Sequence, residues 1–211
     1  MGAAAVTLDF TPTEDGDVSR GLFGDLISTT GPTMSFSNGG LQPGAAVMEF
    51  DLSAIPDGAT INSASVMLTR AGTFNSSLGS SVIVGLVGYN GDGVVDFNDL
   101  DAIGTGMGAV GVLEGDVVAT LSIGLTDLAP IEAALLGDLF TIRVGTGTAQ
   151  GGVLATSEST TLAGPKLSVD FTPAVIPLPA SAWLLMAGLG GLAALRRPAP
   201  STPHRACKRR L

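Results

Sequence analysis

Oxygen-bearing residues follow one another at short intervals between Asn90 and Asp99, and this spacing suits a calcium ion. In calcium-binding loops the ligands alternate with other residues, and a glycine makes the sharp turn. The chain offers the side chains of Asn90, Asp92, Asp96 and Asp99 and the carbonyl of Val94. The first ligand position falls on Gly88, which has no side-chain oxygen. We predict calcium as the one candidate cofactor; the alternative is an acidic hairpin loop that leads into a helical turn around 98–103.

Groups suited to catalysis are scarce in most of the chain. The one histidine is His204, close to the C-terminus, so residues 5–173 cannot assemble a Ser-His-Asp triad or a histidine metal site. A pair of carboxylates could serve glycoside hydrolysis, but no motif marks such a pair. We therefore expect no catalytic residues, and a carbohydrate-active enzyme stays as an alternative.

Charge divides the chain into two parts. All 19 acidic residues lie at or before Asp170, together with four of the 10 basic residues. The net formal charge is therefore −15 up to Asp170 and +6 beyond it. An acidic body repels phosphate backbones, so we expect no nucleic-acid partner.

Short runs of alternating polar and apolar residues dominate residues 5–173. The run from Thr60 to Arg70 places Ala64, Val66 and Leu68 on one face. Similar runs cover residues 6–10, 45–51, 81–89, 139–144 and 166–171, with turn-forming residues between them. One helix is expected over 128–136, capped by Asp127. The pattern predicts an all-β antiparallel sandwich with one short helix, and no disulfide, because the single cysteine is Cys207.

Several of these segments carry a resemblance to a known family. Residues 46–61, 64–68, 140–143, 155–159 and 164–169 resemble the DNRLRE-type domains, which are similar to carbohydrate-binding jelly rolls. The resemblance implies a jelly-roll-like sandwich, polysaccharide as a candidate ligand and a serine–glutamate pair inside the fold. Glu158 is then expected as a buried carboxylate that accepts backbone hydrogen bonds or pairs with a cation such as Arg143. Candidate aromatic platforms for sugar are Phe23, Phe36, Phe74, Phe97 and Tyr89.

A proline-bearing motif and an apolar run precede a basic C-terminus. The motif is Ile176, Pro177, Leu178, Pro179 and Ala180, and the apolar run covers 180–195 before Arg196 and Arg197. As a helix this run covers roughly 24 Å of a hydrocarbon core about 30 Å thick. Its three glycines favour lipid over a soluble helix. The basic residues that follow are expected in the cytoplasm, which places the body outside it.

Residues 176–197 resemble the VPLPA branch of the PEP-CTERM sorting signals. In that family an exosortase, a membrane-embedded cysteine transpeptidase, recognises the tail, which is removed as the protein reaches the surface. Ile176 stands where the family usually has valine, and the segment 198–211 is longer than the usual basic end. The resemblance implies an exosortase-like transpeptidase and membrane lipid as partners.

The expected organisation follows from these observations. Residues 1–4 are an N-terminal remnant, 5–173 the sandwich, 174–197 the sorting signal with a transmembrane helix at about 180–195, and 198–211 a basic cytoplasmic tail. No signal peptide precedes Val6, so we expect a mature form or a start placed too late. We expect an exported, non-catalytic protein of the cell surface or extracellular matrix. A permanently membrane-anchored structural protein is a further alternative.

Overall fold

The computed structural model describes residues 4–22, 24–76, 81–113, 120–147 and 149–174. Several predictions concern positions outside the described residues: the sorting motif with Arg196 and Arg197, the transmembrane segment, the basic tail, Phe23 and residues 1–3. Within the described ranges, no helix is long and apolar enough to cross a bilayer.

Short strands make up most of the described chain. They take 53% of these residues and helices take 6%, which confirms the all-β prediction. The elements in chain order are β1 (Val6–Phe10), β2 (Glu14–Ser19), β3 (Leu26–Ser28), β4 (Thr33–Asn38), β5 (Gly44–Asp51), β6 (Thr60–Thr69), β7 (Asn75–Ser76), β8 (Ser81–Asn90), α1 (Asn98–Asp101), β9 (Thr105–Leu113), β10 (Thr120–Gly124), α2 (Ala129–Ala134), β11 (Leu139–Gly145), β12 (Gln150–Ala155) and β13 (Lys166–Thr172).

The strands form two antiparallel sheets. The first sheet has the order β1-β13-β6-β10, and the second has the order β7-β12-β4-β5-β11-β8-β9. The second sheet forks at Gly44. From Gly44 to Glu49, β5 pairs with β2, which also pairs with β3. The strand β4 reaches β5 only where Ser37 pairs with Gly44.

One hydrophobic core fills the space between the two sheets. Because successive side chains point to opposite faces of a strand, β6 sends Ala64, Val66 and Leu68 inward, as predicted, and β5 sends Met48 and Phe50 to meet them. Ile61 is also buried, although simple alternation puts it on the other face. The register between β6 and β13 shifts beside Asp170 and Phe171, and such a bulge inserts one extra residue and reverses the faces beyond it.

The described body has two short helices where one was expected. The helix α2 lies inside the predicted range, and Oδ1 of Asp127 accepts a hydrogen bond from the N–H of Ala129 over 3.0 Å. Ile131 and Ala134 of this helix are buried in the core. The helix α1 lies in the segment for which a helical turn was the alternative to a calcium site. It belongs to the candidate site described below.

The core makes a direct prediction about stability. Leu68 is fully buried, whereas Leu136 is 88% exposed. Leu68→Ala should lower the free energy of unfolding by about 2 to 5 kcal/mol, because it removes buried methyl groups and leaves a cavity. Leu136→Ala is the matched control and should change it by less than about 0.5 kcal/mol. Urea unfolding followed by circular dichroism measures both, and equal effects would contradict this assignment of the core.

Candidate functional site

Residues 91–104, which we call the strap, lie across the outer face of the second sheet. The strap leaves the end of β8, where the N–H of Gly91 donates to the carbonyl of Leu139 over 3.0 Å. Further along, Val95 is buried against Val18 and Val47 in a small second core. Phe97 and Leu100 pack against the same cluster. An acidic loop is thus held on the sheet by apolar contacts.

Two arginines fasten the strap to the sheet. Nη1 of Arg143 on β11 donates to the carbonyls of Asp99 and Leu100, the latter over 2.6 Å. Arg20 donates to the carbonyl of Phe97 and to Oδ2 of Asp101, and its guanidinium lies 5.5 Å from the centre of the Phe97 ring. The last carbonyls of a helix have no partner within it, so Arg143 supplies donors that α1 itself lacks, while Arg20 holds the residue before the helix and its last side chain.

The carboxylates predicted to bind calcium find hydrogen-bond donors within this segment. Asp99 is buried and accepts from the hydroxyl of Tyr89 and from the N–H of Asp96, both over 2.8 Å. Asp96 accepts from the N–H of Asn98 over 2.7 Å, and Asp92 accepts from the N–H of Val94 over 3.1 Å. The carboxylates of Asp92, Asp96 and Asp99 therefore each accept at least one hydrogen bond from the protein itself.

The residues predicted to bind calcium lie at the end of β8 and along the strap. Asn90 is exposed at the end of β8, and Val94 is 52% exposed on the strap. Among the described residues, no group of three or more acidic, histidine or cysteine side chains is arranged to hold a metal ion. The segment is an acidic loop that leads into the helical turn α1. Calcium binding by Asn90, Asp92, Val94, Asp96 and Asp99 stays a prediction.

Glu49 is a buried carboxylate that the sequence analysis missed. It lies on β5 beneath the start of the strap, and its Oε2 accepts from the hydroxyl of Thr141 over 3.2 Å. Burial raises the pKa of Glu49, and the hydroxyl of Thr141 and the N–H groups of Asp92 and Gly93 act in the opposite direction. Of the two oxygens, Oε1 has no partner within hydrogen-bond geometry. The one signal in the sequence was Val95, an apolar residue in a polar loop, which indicates that the loop folds back.

Glycine is required where the strap crosses Glu49. A Cβ atom at Gly91 would lie 2.8 Å from both Oε2 of Glu49 and the hydroxyl oxygen of Thr141. Gly93 adopts a positive φ of 91°, which side chains other than glycine rarely tolerate. The two glycines therefore serve the close approach of the strap to the sheet.

The expected pairing of Glu158 with Arg143 is wrong. Glu158 is exposed in the turn after β12, and Arg143 donates to the strap carbonyls instead. The buried carboxylate near this turn is Asp15 of β2, which accepts from the N–H and the hydroxyl of Ser157 over 2.8 and 3.1 Å. Glu158 lies in a turn, where its side chain reaches solvent, whereas Asp15 is fixed inside by the alternation of β2.

A groove opens on the outer face of the second sheet, where the sheet forks. Its volume is about 410 Å³. The floor comes from the ends of β4, β5 and β11, and the strap contributes one wall through Leu100 and Asp101. The polar side chains that line it are Arg20, Ser37, Asn38, Asp101, Arg143 and Thr146. A second cleft of about 330 Å³ lies beside it over β8 and β9, and both are lined by Gly145 and Thr146.

A larger cleft of about 520 Å³ lies between the end of β8 and α2. No charged residue lines it, and Tyr89, which does, uses its hydroxyl to bind Asp99. The groove therefore offers more polar and charged groups for ligand recognition.

Two of the expected aromatic platforms are wrong: Phe36 and Phe74 are buried in the core, where their rings meet edge to face at 5.6 Å. Phe97 and Tyr89 are partly exposed.

The buried carboxylate of Asp15 should make the free energy of unfolding depend on pH. Burial raises its pKa from 3.8 to about 6, and the N–H of Ser157 offsets part of that rise. Because the folded pKa is the higher one, the stabilisation is complete in acid and is lost as the pH rises from about 4 to about 6. The expected loss is about 1 to 2 kcal/mol.

Asp15→Asn should abolish this loss, since the amide does not ionise. Urea unfolding between pH 4 and pH 7 measures it, with Asp57→Asn, an exposed turn residue, as the control that keeps the wild-type profile. A wild-type stability that rises across this window would contradict the assignment.

The hydrogen bonds of Arg143 should slow amide exchange in the strap. Arg143→Met removes both hydrogen bonds to the end of α1 and should raise the amide exchange rates of residues 95–101 by about tenfold or more, since two charge-assisted bonds are lost. Lys166→Met is the control, because Lys166 forms an ion pair with Asp9 over 2.9 Å on the first sheet. Unchanged exchange in the strap of the Arg143 variant would show that apolar contacts alone hold it.

Comparison with models of protein families finds no match. Comparison with curated proteins finds no significant match.

Proposed function

We propose that this chain is an exported, non-catalytic β-sandwich protein of the cell surface or extracellular matrix that binds polysaccharide. In this proposal residues 176–197 are a VPLPA-type sorting signal, an exosortase-like transpeptidase is the sorting partner, and membrane lipid surrounds the segment 180–195. The body, in the same proposal, is a DNRLRE-like jelly roll that carries the ligand groove.

The sorting role is supported by the order of features along the sequence. The last strand of the described body ends at Thr172, and the motif begins four positions later at Ile176. The apolar run 180–195 and then Arg196 and Arg197 follow the motif directly. A short apolar run bounded by basic residues suits a membrane.

The jelly-roll proposal is supported by strand order. The first sheet places β1 beside β13 and β13 beside β6, so strands distant in sequence are neighbours. Antiparallel sheets with such crossovers between two packed layers are typical of Greek-key and jelly-roll sandwiches. This order brings the two ends of the body together in one sheet.

Polysaccharide binding is supported by the groove, and this is the observation that carries the proposal. It lies on an open sheet face, and the hydroxyl groups of Ser37 and Thr146 and the amide of Asn38 line it. Such groups exchange hydrogen bonds readily with sugar hydroxyls. Among the described residues, Asp101 is the one carboxylate in its lining, whereas hydrolysis of a glycoside uses two. The groove therefore suits binding better than hydrolysis.

Sorting is tested by the intact mass of the surface product. The chain is expressed with an export leader in a host that has an exosortase, and the surface fraction is analysed by mass spectrometry. We expect a product that has lost Arg196, Arg197 and the residues beyond them. The double variant Pro177→Ala and Pro179→Ala should accumulate uncleaved in the membrane, whereas Pro198→Ala with Pro200→Ala should behave as the wild type. An intact chain at the surface would instead establish the permanently anchored alternative.

A further inference from the structure

The groove concentrates positive charge in an acidic body. Up to Asp170 the chain has 19 acidic residues and only four basic ones, which are Arg20, Arg70, Arg143 and Lys166. Two of these four, Arg20 and Arg143, line the same groove, and Asp101 is the single carboxylate among the described residues that line it. These lining residues together carry a net positive charge, opposite in sign to the body around them.

Arg143 keeps its charge without a carboxylate partner. Among the described residues, the ion pairs are those of Arg20 with Asp25 and Asp101 and of Lys166 with Asp9. Arg143 is half-buried, and its hydrogen bonds to the strap carbonyls both use Nη1. A guanidinium has five N–H donors. The edge formed by Nε and Nη2 is thus left to a ligand, and this edge matches the two oxygens of a carboxylate.

Arg20 is already partly neutralised. Its Nη1 lies 2.7 Å from Oδ2 of Asp101, and its side chain remains 42% exposed. It therefore adds a positive field to one wall, while Arg143 supplies the direct contact. Groups that can hydrogen-bond to sugar hydroxyls lie beside the two arginines. The side-chain amide of Asn38 donates to the carbonyl of Thr146 over 3.2 Å, and its side-chain oxygen Oδ1 remains as an acceptor.

The net charge of the body does not prevent an anion from binding here. At physiological ionic strength the Debye length is about 8 Å, so exposed carboxylates elsewhere on the surface are largely screened. A contact at hydrogen-bond distance with a half-buried guanidinium is screened much less. Whether an anion binds in the groove therefore depends on the charges of the residues that line it.

We propose that the groove binds a carboxylate-bearing sugar, such as a uronic acid residue of an acidic polysaccharide. The carboxylate lies on the Nε and Nη2 edge of Arg143, and the ring hydroxyls lie against Ser37, Asn38 and Thr146. A volume of about 410 Å³ lies within the usual range of about 300 to 1,000 Å³ for small-ligand sites. This inference rests on the proposed polysaccharide-binding function and names the class of polysaccharide.

The test compares acidic oligosaccharides with carboxyl-reduced partners of the same length and linkage. Hexamers of galacturonate, glucuronate and mannuronate, each with its reduced form, are titrated into the full chain in non-ionic detergent by calorimetry. We expect at least one acidic hexamer to bind, with its reduced form about tenfold weaker or more, because a charge-assisted bidentate contact is lost.

Variants locate the contact. Arg143→Gln should weaken binding of the acidic hexamer by about tenfold, whereas Lys166→Gln removes one positive charge outside the groove and should leave it within about twofold. Gly145→Glu and Gly145→Gln keep the bonds of Arg143 to the strap, and a Cβ atom at Gly145 meets no other atom within 4 Å. The glutamate should weaken binding of the acidic hexamer much more than the isosteric glutamine does.

Each outcome bears on one claim or on both. Equal binding of acidic and reduced hexamers, with no difference between the two Gly145 variants, would overturn the uronate inference and leave polysaccharide binding intact. Absence of binding by every hexamer, acidic and reduced, would overturn both. Acid-selective binding that the Gly145 glutamate alone abolishes would establish the inference even if the Arg143 variant failed to fold.

Discussion

The outer face of the second sheet has its shape because Arg143 holds the end of α1. Its two hydrogen bonds to the carbonyls of Asp99 and Leu100 keep the strap on the sheet. The strap in turn buries Glu49 and Val47 and raises one wall of the groove. Arg20 and the apolar contacts of Val95 hold the same segment at other points, so the wall of the groove depends on all three attachments.

Burying carboxylates is costly unless donors reach them. Asp99 on the strap accepts from Tyr89 and a backbone N–H, Glu49 beneath the strap from Thr141, and Asp15 from Ser157 in the turn after β12. Burial raises the pKa of all three nonetheless. The donors therefore offset only part of the desolvation. Strands β5 and β2 hold Glu49 and Asp15 in place, and α1 holds Asp99.

The core residues of β6 could be predicted from the sequence because their burial depends on local periodicity. The alternation in β6 located Ala64, Val66 and Leu68 in the core, because burial on one face of a strand repeats every second residue. It failed at Ile61, because the bulge is set by pairing with β13 and not by β6 itself.

The candidate site depends on long-range contacts that no local pattern encodes. Asp92, Asp96 and Asp99 resemble calcium ligands because turns that accept backbone N–H groups and turns that bind cations use the same residues at the same spacing. The partner of Arg143 was likewise misjudged, since strand order decides that Arg143 lies beneath α1 and not beside Glu158. The groove itself arises where β2 and β4 diverge from β5, and neither strand shows this in its own sequence.

Arg143 can serve both as a clamp and as a ligand contact because of where the ladders place it. It sits in β11 between two paired strands, opposite Val47 of β5 and Val87 of β8. Ordering a free arginine side chain costs roughly 1.5 to 2 kcal/mol. Here the hydrogen bonds from Nη1 to the strap carbonyls order the side chain during folding. Little of this entropic cost therefore remains when a carboxylate binds. In the proposed complex, a half-buried guanidinium that is held in advance lowers the cost of binding an acid on a protein that is itself strongly acidic.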